Sequence, residues 1–387
     1  MANIKKFVQE FGDISFTEKP FCDADNIALC RMFYMLIDKV APNNFTDEPM
    51  AFDEVCRRMF AYNGNKHKMP GLLLTKNISV VMMEMAKCRR YSEMKVIGCT
   101  ETFKTKPAVQ FAAVTFLLPD GKTVVVFRGT DDTLIGWKED VDIYNANGVP
   151  SQKLAAEYLN TVGSIYDGDI IVCGHSKGGN LALFAALYCD SSVRDRIEYL
   201  YNNDGPGFYS FDYINSSAYK QILPKYRHFV PDNSLVGMLL AHDDDYVPVK
   251  SSHFLGPLQH ELGTWQIKGD TVIPKDDLRF LAKVTDIILL DLIFNATPEQ
   301  IVALDKVLTG FIDAMGVRGL MDFAKSIVPS IKSAKGAWAD MDEQTKEILK
   351  SMGEGFGDIV KGAVEAVRNE AFPAVTEKVK SFTRAIV

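Results

Sequence analysis

The sequence predicts an α/β protein built on a central, mostly parallel sheet, and three observations carry that reading. Strand-like and helix-like stretches alternate between about residues 100 and 270. One apolar strand runs directly into a serine bracketed by glycines and then into a small-residue helix. Helical patterns without strand signals fill both ends of the chain. A length of 387 residues exceeds one ordinary domain. The division that follows is a helical N-terminal region over residues 1–98, an α/β core over 99–273 and a helical C-terminal region over 274–387.

Taken in order, Asp23 or Asp25 caps a run in which Ile27, Leu29, Met32, Phe33, Leu36 and Ile37 recur at helical spacing. Helical patterns also cover Phe52–Tyr62 and Ile78–Tyr91, with turn signals between them. Ala108–Leu118 reads as a strand, Pro119-Asp120-Gly121 as a turn, and Lys122–Arg128 as a returning strand buried on both faces. Gln152–Tyr166 and Gly178–Tyr188 are helices; Asp169–Gly174, Glu198–Asn203 and Tyr226–Pro231 are strands. Tyr246–Ser251 and Thr264–Ile267 are shorter strand candidates. Beyond Pro274, Ile312, Met315, Val317, Leu320, Met321, Phe323, Ile327 and Val328 are spaced for an amphipathic helix. A helix packed on the core or on a second subunit is the plainer reading. A lid or a membrane-surface contact through the C-terminal helices is the alternative, and Ser234–Leu240 is a second lid candidate.

The balance of 43 Lys+Arg against 50 Asp+Glu gives a net charge of −7, and no dense basic run is present. Binding nucleic acid by counterion release is therefore not expected. Seven scattered cysteines with no C-x-x-C pair indicate neither a zinc site nor a redox dithiol, and Cys173 and Cys189 sit in apolar contexts expected to be buried. No metal or cofactor is implied. The first residues lack an unbroken apolar segment, and Val284–Ala296 is too short and too acidic to span a bilayer, so a cytoplasmic location is expected.

The chemistry concentrates in Gly174-His175-Ser176-Lys177-Gly178-Gly179-Asn180. A G-x-S-x-G between strand and helix is the pattern of a nucleophile elbow, which lifts Ser176 Oγ above the sheet at a helix N-terminus. A glycine-rich turn packed for its own sake, or binding phosphate, is the competing explanation. Upstream, Val124-Val-Val-Phe-Arg128-Gly129-Thr130-Asp131 ends a strand in a tight turn, with Trp137 and Asp140 following.

Together F-R-G-T, W-x-x-D and G-H-S-x-G-G resemble the class 3 lipases, a branch of the α/β-hydrolase fold. The variant Gly174–Ala182 is similar to an uncharacterised bacterial family of hydrolase-like proteins. The lipase resemblance spans about residues 100–270, and the bacterial one extends into the N-terminal part. It implies an oxyanion hole from Thr130 and the backbone N–H of Lys177, with Asp140 anchoring the oxyanion loop. Lipases usually carry leucine where Lys177 stands, so a cation is expected at the rim of the acyl site.

Such triads run Ser, Asp or Glu, then His along the chain. His260, in a loop before Trp265, is the expected base, with His253 as the alternative; His228 lies within a strand and His242 beside an acidic loop. Asp232, directly after Tyr226–Pro231, is the expected acid; Asp204 competes, then Asp243, Asp244 and Asp245. The function expected is a serine esterase or lipase-like hydrolase of small-molecule or lipid esters, acting through an acyl-enzyme. The alternative is a catalytically silent scaffold of the same fold that binds an acyl ligand or a protein partner.

Overall fold

The computed structural model describes residues 3–35, 37–62, 78–105, 108–129, 148–208, 210–234, 236–242, 246–254, 256–280, 282–284 and 286–288, with Glu343, Lys361, Glu365, Val367 and Arg368. The proposed amphipathic helix over 312–328 lies outside the described residues.

Eight strands form one sheet: β1 (Met50–Ala51), β2 (Lys95–Thr105), β3 (Ala108–Leu117), β4 (Thr123–Phe127), β5 (Ile170–His175), β6 (Ile197–Asn203), β7 (Tyr226–Pro231) and β8 (Tyr246–Val249). A two-stranded ribbon, β9 (Ile267–Lys268) with β10 (Thr271–Val272), stands apart. The helices are α1 (Ile4–Phe11), α2 (Asp23–Met32), α3 (Phe52–Tyr62), α4 (Ile78–Met85), α5 (Arg89–Ser92), α6 (Pro150–Ile165), α7 (Lys177–Tyr188), α8 (Ser191–Asp195), α9 (Ser217–Ile222) and α10 (Gly256–Gln259). The chain is thus an α/β protein. Pairing from β4 to β8 is parallel, and β1 to β4 form an antiparallel edge.

Spatial strand order equals chain order from β1 to β8. Winding in a single direction with crossovers of one hand puts every crossover helix on the same side. The side chains agree with this. Val125, Phe127, Ile170 and Val172 pack with Ala155 and Leu159 of α6, Leu181 and Leu183 of α7, and Ile222 of α9. The alternate residues Val124, Val126, Ile171 and Cys173 face the other way and would be left in water. The N-terminal helices cover them, with Phe7, Ile27, Phe33, Val55 and Met82 in the same cluster. The hydrophobic driving force, roughly 25 cal/mol per Å² of apolar surface, therefore falls on both faces. All five residues of β4 and all six of β5 are buried accordingly.

Two details differ from the sequence reading. Residues 95–105 form β2, a full strand of the sheet, although most of their neighbours upstream are helical. Its register shifts between Ile97 and Thr100, which breaks the period-2 pattern. Thr264 closes a 3₁₀ turn, so the strand expected over Thr264–Ile267 shrinks to β9. Within Ser234–Leu240, Ser234, Met238 and Leu240 are buried.

Candidate active site

Ser176 follows β5 and precedes α7 with φ 58° and ψ −134°, a conformation that L residues rarely adopt. Local packing enforces the turn. A Cβ on Gly174 would lie 1.9 Å from the Gly178 carbonyl oxygen, and one on Gly178 would lie 2.2 Å from that of Phe127. Only glycine at both positions lets α7 cross β5 this closely. The Ser176 N–H donates to Asn203 O at 3.0 Å, and its side chain makes no capping bond to α7. Ser176 is half-buried between buried neighbours, and the N-terminal turn of the 12-residue α7 lies behind it.

His260 follows α10 and donates from Nδ1 to Asp204 Oδ2 at 2.6 Å. Both side chains are buried. Asp204 Oδ1 accepts from Ser234 Oγ and, at 3.1 Å, from the Gly237 N–H, so both carboxylate oxygens are satisfied. Asp204 also sits at positive φ, 52°, on the turn after β6. With its proton on Nδ1, the neutral ring presents Nε2 as a bare acceptor.

The candidate nucleophile and base are linked through His175. Its ring centroid lies 4.5 Å from that of His260. His175 Nε2 donates to the His260 carbonyl at 2.8 Å, and Tyr34 Oη donates to His175 Nδ1 at 2.9 Å. Burial, and then the neighbouring His260, hold His175 well below the ordinary histidine value, so it stays neutral. Among the described residues Ser176 Oγ and His260 are not hydrogen-bonded to each other, a common state before substrate binds.

Asp232, the acid expected from sequence, does not meet His260. Its carboxylate receives Arg279 Nε at 3.1 Å and Gln259 Nε2 at 3.0 Å, with Lys275 Nζ at 3.9 Å. Strand order explains the difference: β6, which leads into Asp204, pairs directly with β5, whereas Asp232 follows β7 one strand further out. Gln259 also accepts from the Asn233 N–H at 3.0 Å, so Asp232 and its neighbour brace the loop leading to His260.

Thr130, Asp140 and Asp243–Asp245 lie outside the described residues. Gly129 is described and lies against the elbow; a Cβ there would come 2.5 Å from His175 O and 2.9 Å from Ser176 Cβ. The Lys177 N–H belongs to the first turn of α7, where no intrahelical acceptor exists. Its side chain is buried at 2% exposure rather than forming a cationic rim. The other described histidines are elsewhere: His253 is exposed, His228 is buried within β7, and His242 Nε2 pairs with Asp286 Oδ1 at 3.0 Å.

Sequence reasoning weighed Asp204 only as a competitor and missed Tyr34, His175 and Glu261. Glu261 Oε1 accepts from Arg31 Nε at 2.8 Å, with both side chains 5% exposed. No local pattern announces contacts between residues so far apart. Among the described residues, no helix is long and apolar enough to cross a membrane. A family model described as Mbeg1-like matches residues 85–306, more than half of the chain, and thus spans β2 to β10 and every residue of the candidate triad. No curated protein and no solved structure matches the chain.

Proposed function

The chain belongs to the Mbeg1-like family, and on that premise we propose that it is a serine hydrolase of carboxylic esters with an α/β-hydrolase fold, similar to the class 3 lipases. The observation that carries the reading is the buried His260–Asp204 pair, joined through His175 to a serine in a strained strand-to-helix turn. A serine that merely ended a tight turn would have no use for a buried, tautomer-fixed histidine held against its neighbour His175.

In the proposed reaction His260 Nε2 takes the proton of Ser176 Oγ as the oxygen attacks the ester carbonyl. The Lys177 N–H, and Thr130 by family resemblance, hold the oxyanion. The C–O bond breaks, and the leaving alkoxide takes the proton from His260. Water then attacks the acyl-serine with His260 again as base, releasing acid and free Ser176. Asp204 stabilises the imidazolium in both halves. The Lys177 side chain is buried, so it is not a cation presented to solvent at the rim.

A fluorophosphonate probe tests the reading directly. Labelling of the native protein that disappears in Ser176→Ala is the expected result. An unlabelled native protein, beside a hydrolase that reacts in the same tube, refutes the nucleophile and leaves a silent scaffold of the same fold.

A further inference from the structure

Every member of the proposed triad has a sequence neighbour gripped by one short stretch of the N-terminal part. Asn26 and Asn203 exchange two amide hydrogen bonds, each 2.9 Å, one residue before Asp204. Arg31 Nε donates to Glu261, one residue after His260. Tyr34, two residues past the end of α2, donates to His175, one residue before Ser176. Asn26, Arg31, Asn203, His175 and Glu261 are all buried, and Tyr34 is half-buried. A helix present only to cover apolar strand residues needs none of these bonds. Buried polar groups are costly when unmatched, so three matched pairs admit one placement of α2 against the site.

We infer that α2 together with Tyr34 is a positioning element of the active site, and that the Tyr34 hydroxyl anchors the His175 ring that holds the base loop. This rests on the serine-hydrolase reading. The carbonyl of His260 can only accept, so His175 must carry its proton on Nε2. Its bare Nδ1 must then find a donor, and Tyr34 Oη provides it. Without that hydroxyl the proton stays on Nε2, but Nδ1 is a buried acceptor with its donor gone. The ring is then held at one end only, and the loop that carries His260 loses a fixed point. Tyr34 is thus a positioning residue, acting through His175.

The test compares wild type, Tyr34→Phe, His175→Gln and the double variant. Two readouts are used: the rate of fluorophosphonate labelling at Ser176, and the ¹⁵N signature of the histidine rings. Labelling of Tyr34→Phe is expected to slow about tenfold, the factor corresponding to about 1.4 kcal/mol. The ring signals of His260 should also shift, while His175 keeps its Nε2–H. If Tyr34 acts through the His175 ring, removing its hydroxyl after that ring has been replaced by glutamine should change labelling by less than about twofold. Tyr34→Phe reacting within about twofold of wild type, with the His260 signals unmoved, overturns the inference. An equal loss in both backgrounds also overturns it, since Tyr34 would then act by some other route. If wild type is not labelled, the hydrolase reading fails separately, and the ring spectra decide. Shifted His260 signals in Tyr34→Phe uphold the positioning role, and unchanged His260 signals end it.

Discussion

Exchanging Asp204 for asparagine keeps the size of the side chain and reverses the logic of the site. Three donors surround the carboxylate: Ser234 Oγ and the Gly237 N–H on one oxygen, and His260 Nδ1 on the other. An amide has a single oxygen, and two of the three donors claim it together. Its NH₂ then faces His260 Nδ1, which can accept only by giving up its proton. The ring is left with its proton on Nε2, the atom that must take the proton of Ser176. A base held in the wrong tautomer costs about 10³–10⁴ in rate, or about 4–5.5 kcal/mol of transition-state stabilisation. The fold should tolerate the change, since asparagine accepts the positive φ of 52° at this position better than most residues. Asp232→Asn is the control: Gln259 Nε2 and Arg279 Nε bind different carboxylate oxygens, so the amide keeps only one of them, but neither donor is His260, and labelling should stay within about tenfold of wild type. The assay is the second-order rate of fluorophosphonate labelling, with thermal melts to confirm folding. If Asp204→Asn stays within about tenfold of wild type while Asp232→Asn collapses, the acid has been misassigned.

Two further outcomes follow from the same geometry. Ser176→Gly should abolish labelling yet raise the denaturant midpoint. Backbone strain of about 1–3 kcal/mol is relieved, against roughly 0.5–1 kcal/mol of extra unfolded-state entropy, and an unchanged or lower midpoint would mean the turn is not strained. His175, held well below the ordinary value of 6.5, binds no proton in the folded protein where the unfolded chain does. Its contribution to stability is therefore complete above about pH 6.5 and is lost as the pH falls below that value. His175→Gln should flatten the fall of the melting temperature between about pH 6.5 and 5, and an equally steep fall would place the acid sensitivity elsewhere.

Several parts of this structure are written locally and others are not. β4 and β5 are apolar runs bounded by turn residues, and their burial follows from composition alone. The elbow is legible because close crossing of strand and helix demands glycine at 174 and 178 whatever the rest of the chain does. β2 escaped notice because its register shift and its polar Thr100, Glu101 and Thr102 blur the alternation. The choice between Asp204 and Asp232 was undecidable from local sequence. Both follow strands, and only the spatial order of β5, β6 and β7 separates them. Lys177 looked like a surface cation because a long charged side chain seldom lies at 2% exposure.

The identity of spatial and sequential strand order also sets a timetable for the newborn chain. Each strand from β2 onward can dock on one already made, so the sheet can extend steadily as the polypeptide leaves the ribosome. The contacts of α2 keep a different clock. Asn26 waits 177 residues for Asn203, and Arg31 waits 230 for Glu261. At ribosomal speeds the longer wait is on the order of 10–50 s. Late in that interval the growing protein has a sheet and a serine turn but no fastened His260, so the proposed hydrolytic competence would have to wait until residue 261 has been made.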